Sequence, residues 1–267
     1  MFSSSRPRRI KDFGLTVILW VYFLFGYLIL LPVFFVPYYW ACHRNIAAAL
    51  QKLNHLHLKT FFHVSRFLIP KTTYRIDPQV RRLRSSVIVC NHISYLDPIL
   101  LVSLFPRQTT IVKNSFFSVP IFGWFLKKAG YVPSSPEEMY GPAMIENLEA
   151  IKAHLAAGGN LFVFPEGTRG RNGRLAPFNR GVFSIARYCK TDLKLVFLRH
   201  TDKLFRPGKF SFNTCEPSTI EVEWIATLKP DYAADHFSIN TVARQAWKIF
   251  AENISRSSSD GEGRHKP

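Results

Sequence analysis

The chain has 267 residues, of which 47% are apolar, 15% aromatic and 20% charged. That is enough for one large core, or a core with an appendage, and too apolar for a disordered tail. Lys and Arg number 35 against 18 acidic residues, a formal charge of +17, which directs attention to polyanionic partners: nucleic acid, an acidic membrane surface or a phosphate-bearing substrate. The 24 Phe and 10 Tyr suit a bilayer interface at least as well as a nucleic-acid groove.

From Phe13 to Cys42 no side chain is charged, a run of about 30 residues against the ~18 that already mark a membrane helix. Arg6, Arg8, Arg9 and Lys11 stand before it. A signal peptide also starts with cations, but its apolar core is ~7–15 residues and ends in small side chains, whereas Pro37-Tyr38-Tyr39-Trp40 supplies bulky rings. As a single helix the run would reach ~45 Å, more than the ~30 Å hydrocarbon core, so breaks are expected at Pro32 and Pro37. Both flanks are basic, and basic flanks favour the cytoplasmic side. A re-entrant hairpin or monotopic insertion is therefore expected over one crossing.

Between Asn45 and Pro70, Ile46, Leu50, Leu53, Phe61, Val64 and Leu68 recur at helical spacing, and Lys52, Lys59 and Arg66 repeat every seven residues. This predicts an amphipathic helix whose basic stripe either docks on anionic lipid or faces solvent. His55 and His57 lie two apart, a spacing that does not bring side chains together on a helix, so no metal site is expected there.

Beyond Pro70, short apolar runs alternate with amphipathic stretches. Val87 to Cys90 reads as a buried strand, and Pro98 to Leu104 as a helix with Asp97 as N-cap and Pro98 at its first position. Pro142 to Ala157 reads as a helix stopped by Gly158-Gly159, followed by a strand at Leu161 to Phe164, a helix at Gly181 to Cys189 and a strand at Leu193 to Leu198. Lys209 to Thr214 and Ile220 to Ile225 read as further strands, Ser238 to Ile254 as a closing helix, and 255–267 as a disordered tail. The alternation predicts an α/β fold, a central and mostly parallel sheet flanked by helices, behind an N-terminal hydrophobic helical anchor. The expected units are 1–43, basic N-terminus and membrane segment; 44–84, amphipathic helix and linker; 85–254, the α/β domain; and the tail. Cys42, Cys90, Cys189 and Cys215 are widely spaced without a CxxC pair and read as free thiols in a reducing compartment.

Ligands of open α/β sheets bind beyond the carboxyl ends of the strands. Two such loops hold suitable groups: Asn91-His92-Ile93-Ser94-Tyr95-Leu96-Asp97 and Phe164-Pro165-Glu166-Gly167-Thr168-Arg169. His92 and Asp97 bracket a turn that would bring imidazole to carboxylate, making a general base whose tautomer the Asp fixes. On spacing alone, an Asp97 that only caps a helix, with His92 packed nearby, is the stronger reading. Arg169 has the planar fork that grips phosphate, Arg171, Arg174 and Arg180 follow closely, Gly167 permits a close backbone approach, and Glu166 could orient Arg169 or a substrate hydroxyl. No GxSxG elbow is present and no cysteine stands in a similar loop, which favours direct transfer over a covalent intermediate.

Together NHISYLD, of the form NHxxxxD, and FPEGTR about 70 residues later closely resemble the motifs of the glycerolipid acyltransferases, the 1-acylglycerol-3-phosphate acyltransferase-like family. The resemblance covers roughly Ser85 to Thr227. It implies an enzyme with His92 as base and Asp97 as its partner, and with Glu166, Gly167, Thr168 and Arg169 in acceptor binding. The acyl group would arrive as a thioester on CoA or acyl carrier protein, with no cofactor and no metal. The stretch Lys113 to Trp124 also resembles the family, but the later Gly-Phe-Arg that helps hold the acceptor phosphate is here Gly130-Tyr131-Val132-Pro133-Ser134-Ser135-Pro136. Lys113 or Arg199 could replace that cation, or the acceptor could carry another head group.

The expected activity is therefore acylation of 1-acylglycerol 3-phosphate to phosphatidic acid in phospholipid biosynthesis, at the cytoplasmic face of the inner (plasma) membrane and in contact with anionic lipid. The alternative is the same chemistry on another lysophospholipid or an amino-acid lysolipid, and the remote one a non-enzymatic basic membrane adaptor. No motif for DNA or RNA recognition is present, and no nucleic acid is expected as a partner.

Overall fold

The computed structural model describes residues 5–41, 45–134, 142–169 and 175–262. In chain order its elements are α1 (Ser5–Phe25), a wider helical turn (Gly26–Leu30), α2 (Leu31–Ala41), α3 (Ile46–Leu68), β1 (Thr72–Ile76), α4 (Pro78–Arg81), β2 (Val87–Cys90), α5 (Leu96–Leu104) and β3 (Gln108–Lys113). After a short turn (Asn114–Phe116) come α6 (Phe122–Lys128), β4 (Val132–Ser134), α7 (Pro142–Ala156), β5 (Asn160–Val163), α8 (Gly181–Cys189), β6 (Leu193–Arg199), α9 (Thr201–Leu204), β7 (Ser218–Leu228) and α10 (Ile239–Glu262). Cys42, Arg171, Arg174, Ser135 and Pro136 lie outside the described residues, as do the side chains of Arg6 and Arg9.

The seven strands order as β1-β7-β6-β2-β5-β3-β4. All neighbouring pairs are parallel except β6 with β7. The carboxyl ends of β2, β3, β4, β5 and β6 therefore share one edge of the sheet. Because successive strand residues face opposite sides, Ile88 and Cys90 enter one core layer and Val87 and Val89 the other. The first layer packs under α1, α3 and α5; the second packs under α7, α8 and α10. The α/β expectation is met.

The anchor differs in detail. The helix continues through Pro32 and Pro37, and its irregularity lies one turn earlier, at Gly26–Leu30. A wider turn there relieves the clash of the Pro32 ring with the carbonyl four residues before it. Gly26 is also where α3 comes closest, since a Cβ on it would sit 1.8 Å from the His57 ring. Ile10–Pro37 is long and apolar enough to cross a membrane, yet one side of it packs down. Tyr22 donates to Thr60 at 2.6 Å and Tyr27 to Asn54 at 2.7 Å, making an antiparallel hairpin with α3. The opposite side leaves Phe13, Val17, Val21, Leu24 and Leu28 exposed. On α3, capped by Asn45 through the Ala48 N–H, the stripe of Lys52, Lys59 and Arg66 is exposed. His55 and His57 bond separately to the carbonyls of Val102 and Phe23, and burial pushes both imidazoles below their ordinary range.

Three further expectations are corrected. Thr72–Ile76 is a strand of the sheet, paired with β7, so the sheet begins before the expected boundary at 85. Lys209 to Thr214 is not a strand. Its backbone turns at Pro207-Gly208, and its polar groups go to α1 instead of to a neighbouring strand: Phe212 N–H donates to Thr16 Oγ1 at 2.9 Å and Thr214 N–H to Asp12 Oδ1 at 2.8 Å. The last helix runs to Glu262, past the expected end at Ile254; 263–267 lie outside the described residues.

The edge that carries the two motif loops is held by Asn91. Its side chain donates to the Leu198 carbonyl at 2.9 Å and accepts from the Leu198 N–H at 2.7 Å, fastening the end of β2 to β6. Asn91→Ala strands two buried main-chain groups at about 1–3 kcal/mol each. The expected loss is about 2–4 kcal/mol of unfolding free energy, read by denaturant titration in detergent, and an unchanged midpoint refutes it.

Candidate active site

His92 follows β2 directly, and the turn after it is built around Asp97. Asp97 stands in the first turn of α5, not at the cap, which Tyr95 occupies without a side-chain bond. Its carboxylate points back over the loop. Oδ2 accepts from the Ile93 and Ser94 N–H groups, each at 2.7 Å, and lies 2.9 Å from His92 Nδ1. Oδ1 accepts from Thr201 Oγ1 at 2.5 Å. The residue is 0% exposed. Four donors and the positive end of a helix thus meet one buried carboxylate. With Nδ1 engaged, Nε2 is the ring nitrogen of His92 left without a hydrogen-bond partner among the described residues; the side chain is 17% exposed, and the ring stacks on Phe164 at 4.4 Å.

The sequence did not point to Thr201. The signal nearest to it is the change from the apolar run Leu195 to Leu198 to the polar Arg199-His200-Thr201, where the chain turns: His200 adopts a φ of +64°, a left-handed conformation that His tolerates better than most. That turn swings Thr201 under Asp97, while His200 Nδ1 is held by the Thr219 carbonyl at 2.9 Å.

Glu166 links the two motif loops. Its Oε1 accepts from the His92 N–H and its Oε2 from the Ala176 N–H, both at 3.1 Å. Burial pushes its carboxyl above the usual range, opposed by those two hydrogen bonds. Gly167 closes a turn through its N–H on the Phe164 carbonyl at 3.1 Å, and its φ of +66° is a left-handed conformation that glycine adopts without a Cβ clash. Gly167 and Thr168 are exposed. Arg169 lies flat on the Tyr95 ring at 3.4 Å, and its buried Nη1 has no hydrogen-bond partner among the described residues.

Lys113 ends β3 at the same edge, exposed, two strands from β2, and in register with Ser134 of β4. Arg199 is committed elsewhere: its guanidinium pairs with Glu223 and Glu221 on β7, so it is not the replacement cation. Cys90, immediately before the loop, is fully buried, and burial together with the Asp97 charge holds its thiol well above the usual range. An apolar recess lined by Trp20, Phe23, Tyr95, Leu96, Ile99 and Phe205 adjoins the loop.

A buried Asp paired with a His, and a guanidinium whose Nη1 has no partner among the described residues, stand at the carboxyl edge of a mostly parallel sheet, an arrangement suited to group transfer. Residues 71–196 match the Acyltransferase family model. A chloroplastic 1-acyl-sn-glycerol-3-phosphate acyltransferase of Brassica napus is 34% identical over 122 residues, covering 46% of this chain and 35% of that protein. The 1-acyl-sn-glycerol-3-phosphate acyltransferase of Saccharomyces cerevisiae is 29% identical over 160 residues, 58% of this chain and 52% of its own length. The matches thus span between about a third and a half of these relatives. The fold is that of the crystal structure of PlsC, the 1-acyl-sn-glycerophosphate (LPA) acyltransferase of Thermotoga maritima, with a TM-score of 0.72 at 17% identity over 94% of this chain and 98% of that one.

Removing the Thr201 hydroxyl takes one hydrogen bond from a buried charge, worth about 1.5–3 kcal/mol. Thr201→Val is expected to lower both stability and turnover, the latter about ten-fold or more, and Thr201→Ser to restore both. Wild-type turnover in the valine variant contradicts a positioning role.

Proposed function

We propose that the protein is a membrane-seated O-acyltransferase that moves a fatty acyl group from acyl-CoA or acyl carrier protein to the free hydroxyl of 1-acylglycerol 3-phosphate, giving phosphatidic acid. The observation that carries the reading is the His92 to Asp97 bond with Asp97 wholly buried. The relatives named above are 1-acylglycerol-3-phosphate acyltransferases by name, which favours this acceptor.

In the reaction, Nε2 of His92 takes the proton of the lysolipid hydroxyl as its oxygen attacks the thioester carbonyl. Asp97 holds Nδ1–H and stabilises the imidazolium that forms. The tetrahedral adduct then expels the thiolate, which receives the proton from His92; the C–O bond replaces the C–S bond and the charges balance. The raised thiol of Cys90 supports direct transfer without an acyl-enzyme. No bound cofactor or metal is needed.

Arg169, aligned by Tyr95, grips the acceptor phosphate, with Lys113 standing beside the strand end where the family's arginine is missing. Gly167 and Thr168 shape that pocket, and Glu166 sets the distance between the two loops. The exposed apolar side of α1 and α2, flanked by Arg8 and Lys11, seats the chain monotopically on the cytoplasmic leaflet of an anionic plasma membrane. A different lysolipid acceptor is the second reading, favoured by the Tyr131-Val132-Pro133-Ser134 departure.

His92→Ala is expected to reduce acyl transfer by about 10²–10⁴-fold with vesicle binding intact; retained turnover removes the mechanism. Arg169→Gln should raise KM for a phosphate acceptor by about ten-fold or more. Purified protein given labelled acyl-CoA and a panel of lysolipids decides the acceptor, and preference for one other than 1-acylglycerol 3-phosphate overturns the first choice.

A further inference from the structure

The segment between β3 and α6 is used by none of the steps above. After Lys113 the chain makes one tight turn, and at Ile121 it bends back with φ +63° and ψ −55°. The Phe122 N–H there donates to the Pro120 carbonyl at 2.6 Å. This is the strained form of the γ-turn, and it is held by a β-branched residue that ordinarily avoids it. The turn is locked from behind: a Cβ on Gly123 would lie 2.1 Å from the Phe117 carbonyl oxygen.

The strain does not serve to bury anything. Phe116, Val119, Ile121 and Trp124 all point outward, Ile121 being 56% and Trp124 49% exposed. Lys113, Lys127 and Lys128 surround them, all exposed, and the sequence holds no Asp or Glu between Asp97 and Glu137. An exposed apolar knuckle flanked in the chain by exposed lysines, with no carboxylate in that stretch of sequence, has the chemistry that seats on an anionic lipid surface: apolar groups for the acyl boundary and cations for the lipid phosphates.

Two contacts join this patch to the helical anchor. Trp124 meets Phe35 of α2 edge to face at 5.9 Å, and Phe122 meets Tyr27 at 5.6 Å. The knuckle therefore continues the exposed apolar face of Val33, Phe34 and Val36. It also leaves the sheet at the carboxyl end of β3, the edge on which His92 and Glu166 stand.

We infer that the Phe116 to Trp124 knuckle is a second membrane-contacting element, inserting its four apolar side chains into the interface of an anionic bilayer while Lys113, Lys127 and Lys128 meet lipid phosphates. With α1 and α2 on one side and the knuckle on the other, the catalytic edge faces the lipid surface. The inference rests on the reading of α1 and α2 as a membrane seat.

The test uses the full chain on vesicles of phosphatidylglycerol and phosphatidylcholine brominated in their acyl chains, with tryptophan emission compared between wild type, Trp124→Phe and Trp247→Phe. Trp247 lies on α10, in the layer on the opposite side of the sheet. The expected result is that Trp124→Phe loses a bromolipid-quenched part of the emission and Trp247→Phe does not, and that the Trp124 quenching weakens when phosphatidylglycerol is left out. Chain that co-sediments with vesicles while Trp124 stays unquenched overturns this inference and spares the anchor. Chain that does not co-sediment overturns the membrane seat and this inference with it.

Discussion

A carboxylate without exposure to water organises this protein. Burying an ion costs several kcal/mol unless hydrogen bonds replace its hydration, and Asp97 recovers that cost through four donors: His92, Ile93, Ser94 and Thr201. Three of these lie within five residues of it. The loop must fold back so that two consecutive N–H groups and one imidazole nitrogen converge on the same carboxyl, which leaves little freedom in the spacing between His92 and Asp97. The geometry suited to a general base and the geometry that makes Asp97 tolerable in the interior are the same.

Glu166 extends the same logic to the second loop. Sequence reasoning gave it to Arg169 or to substrate, whereas its two oxygens take main-chain N–H groups from His92 and from Ala176. A side chain that bonds the backbone of His92 sets where the imidazole begins, and the loop beyond it sets where Arg169 ends up. Arg169, which makes no ion pair with Glu166, rests on Tyr95 with a buried nitrogen unmatched among the described residues. An unmatched donor on a charged group is costly in isolation and is well suited to an anion brought in from outside.

Most of the sheet was legible because buried strands such as Val87 to Cys90 are unbroken apolar runs, and helices such as Gly181 to Cys189 carry a clear period. What escaped was of three kinds. Strands β1, β3 and β4 are short or half polar, as in Thr72-Thr73 and Gln108-Thr109-Thr110, so neither alternation nor an apolar run marks them. The sequence 209–214 has a strand-like composition but spends its hydrogen bonds on a helix distant in the chain, and only the tertiary fold reveals such a choice. Asp97 was read as a cap from the Asp-Pro pair, since a side chain that turns back upon the preceding loop leaves the same local signature. The dyad itself was legible from the joint motifs, but its fourth donor was not, because Thr201 is 104 residues away from Asp97 in the chain.

That fourth donor belongs to a segment with a second attachment. From Thr201 the chain runs to Phe205, whose carbonyl accepts from Ser94 Oγ at 2.8 Å inside the dyad loop. It then reaches Phe210, Phe212 and Thr214, which hold α1 through Trp20, Thr16 and Asp12. Phe205 itself packs against Trp20 and Phe212. One stretch of about a dozen residues therefore touches the Asp97 carboxylate at one end and the apolar helix at the other, with rings packed between. Packed interiors transmit displacement instead of absorbing it, so the height of α1 and the position of Asp97 are set together. For an enzyme whose substrates would lie in a lipid surface, that linkage fixes the distance between the reacting nitrogen and the surface in the fold itself, independently of the loops that recognise the head group.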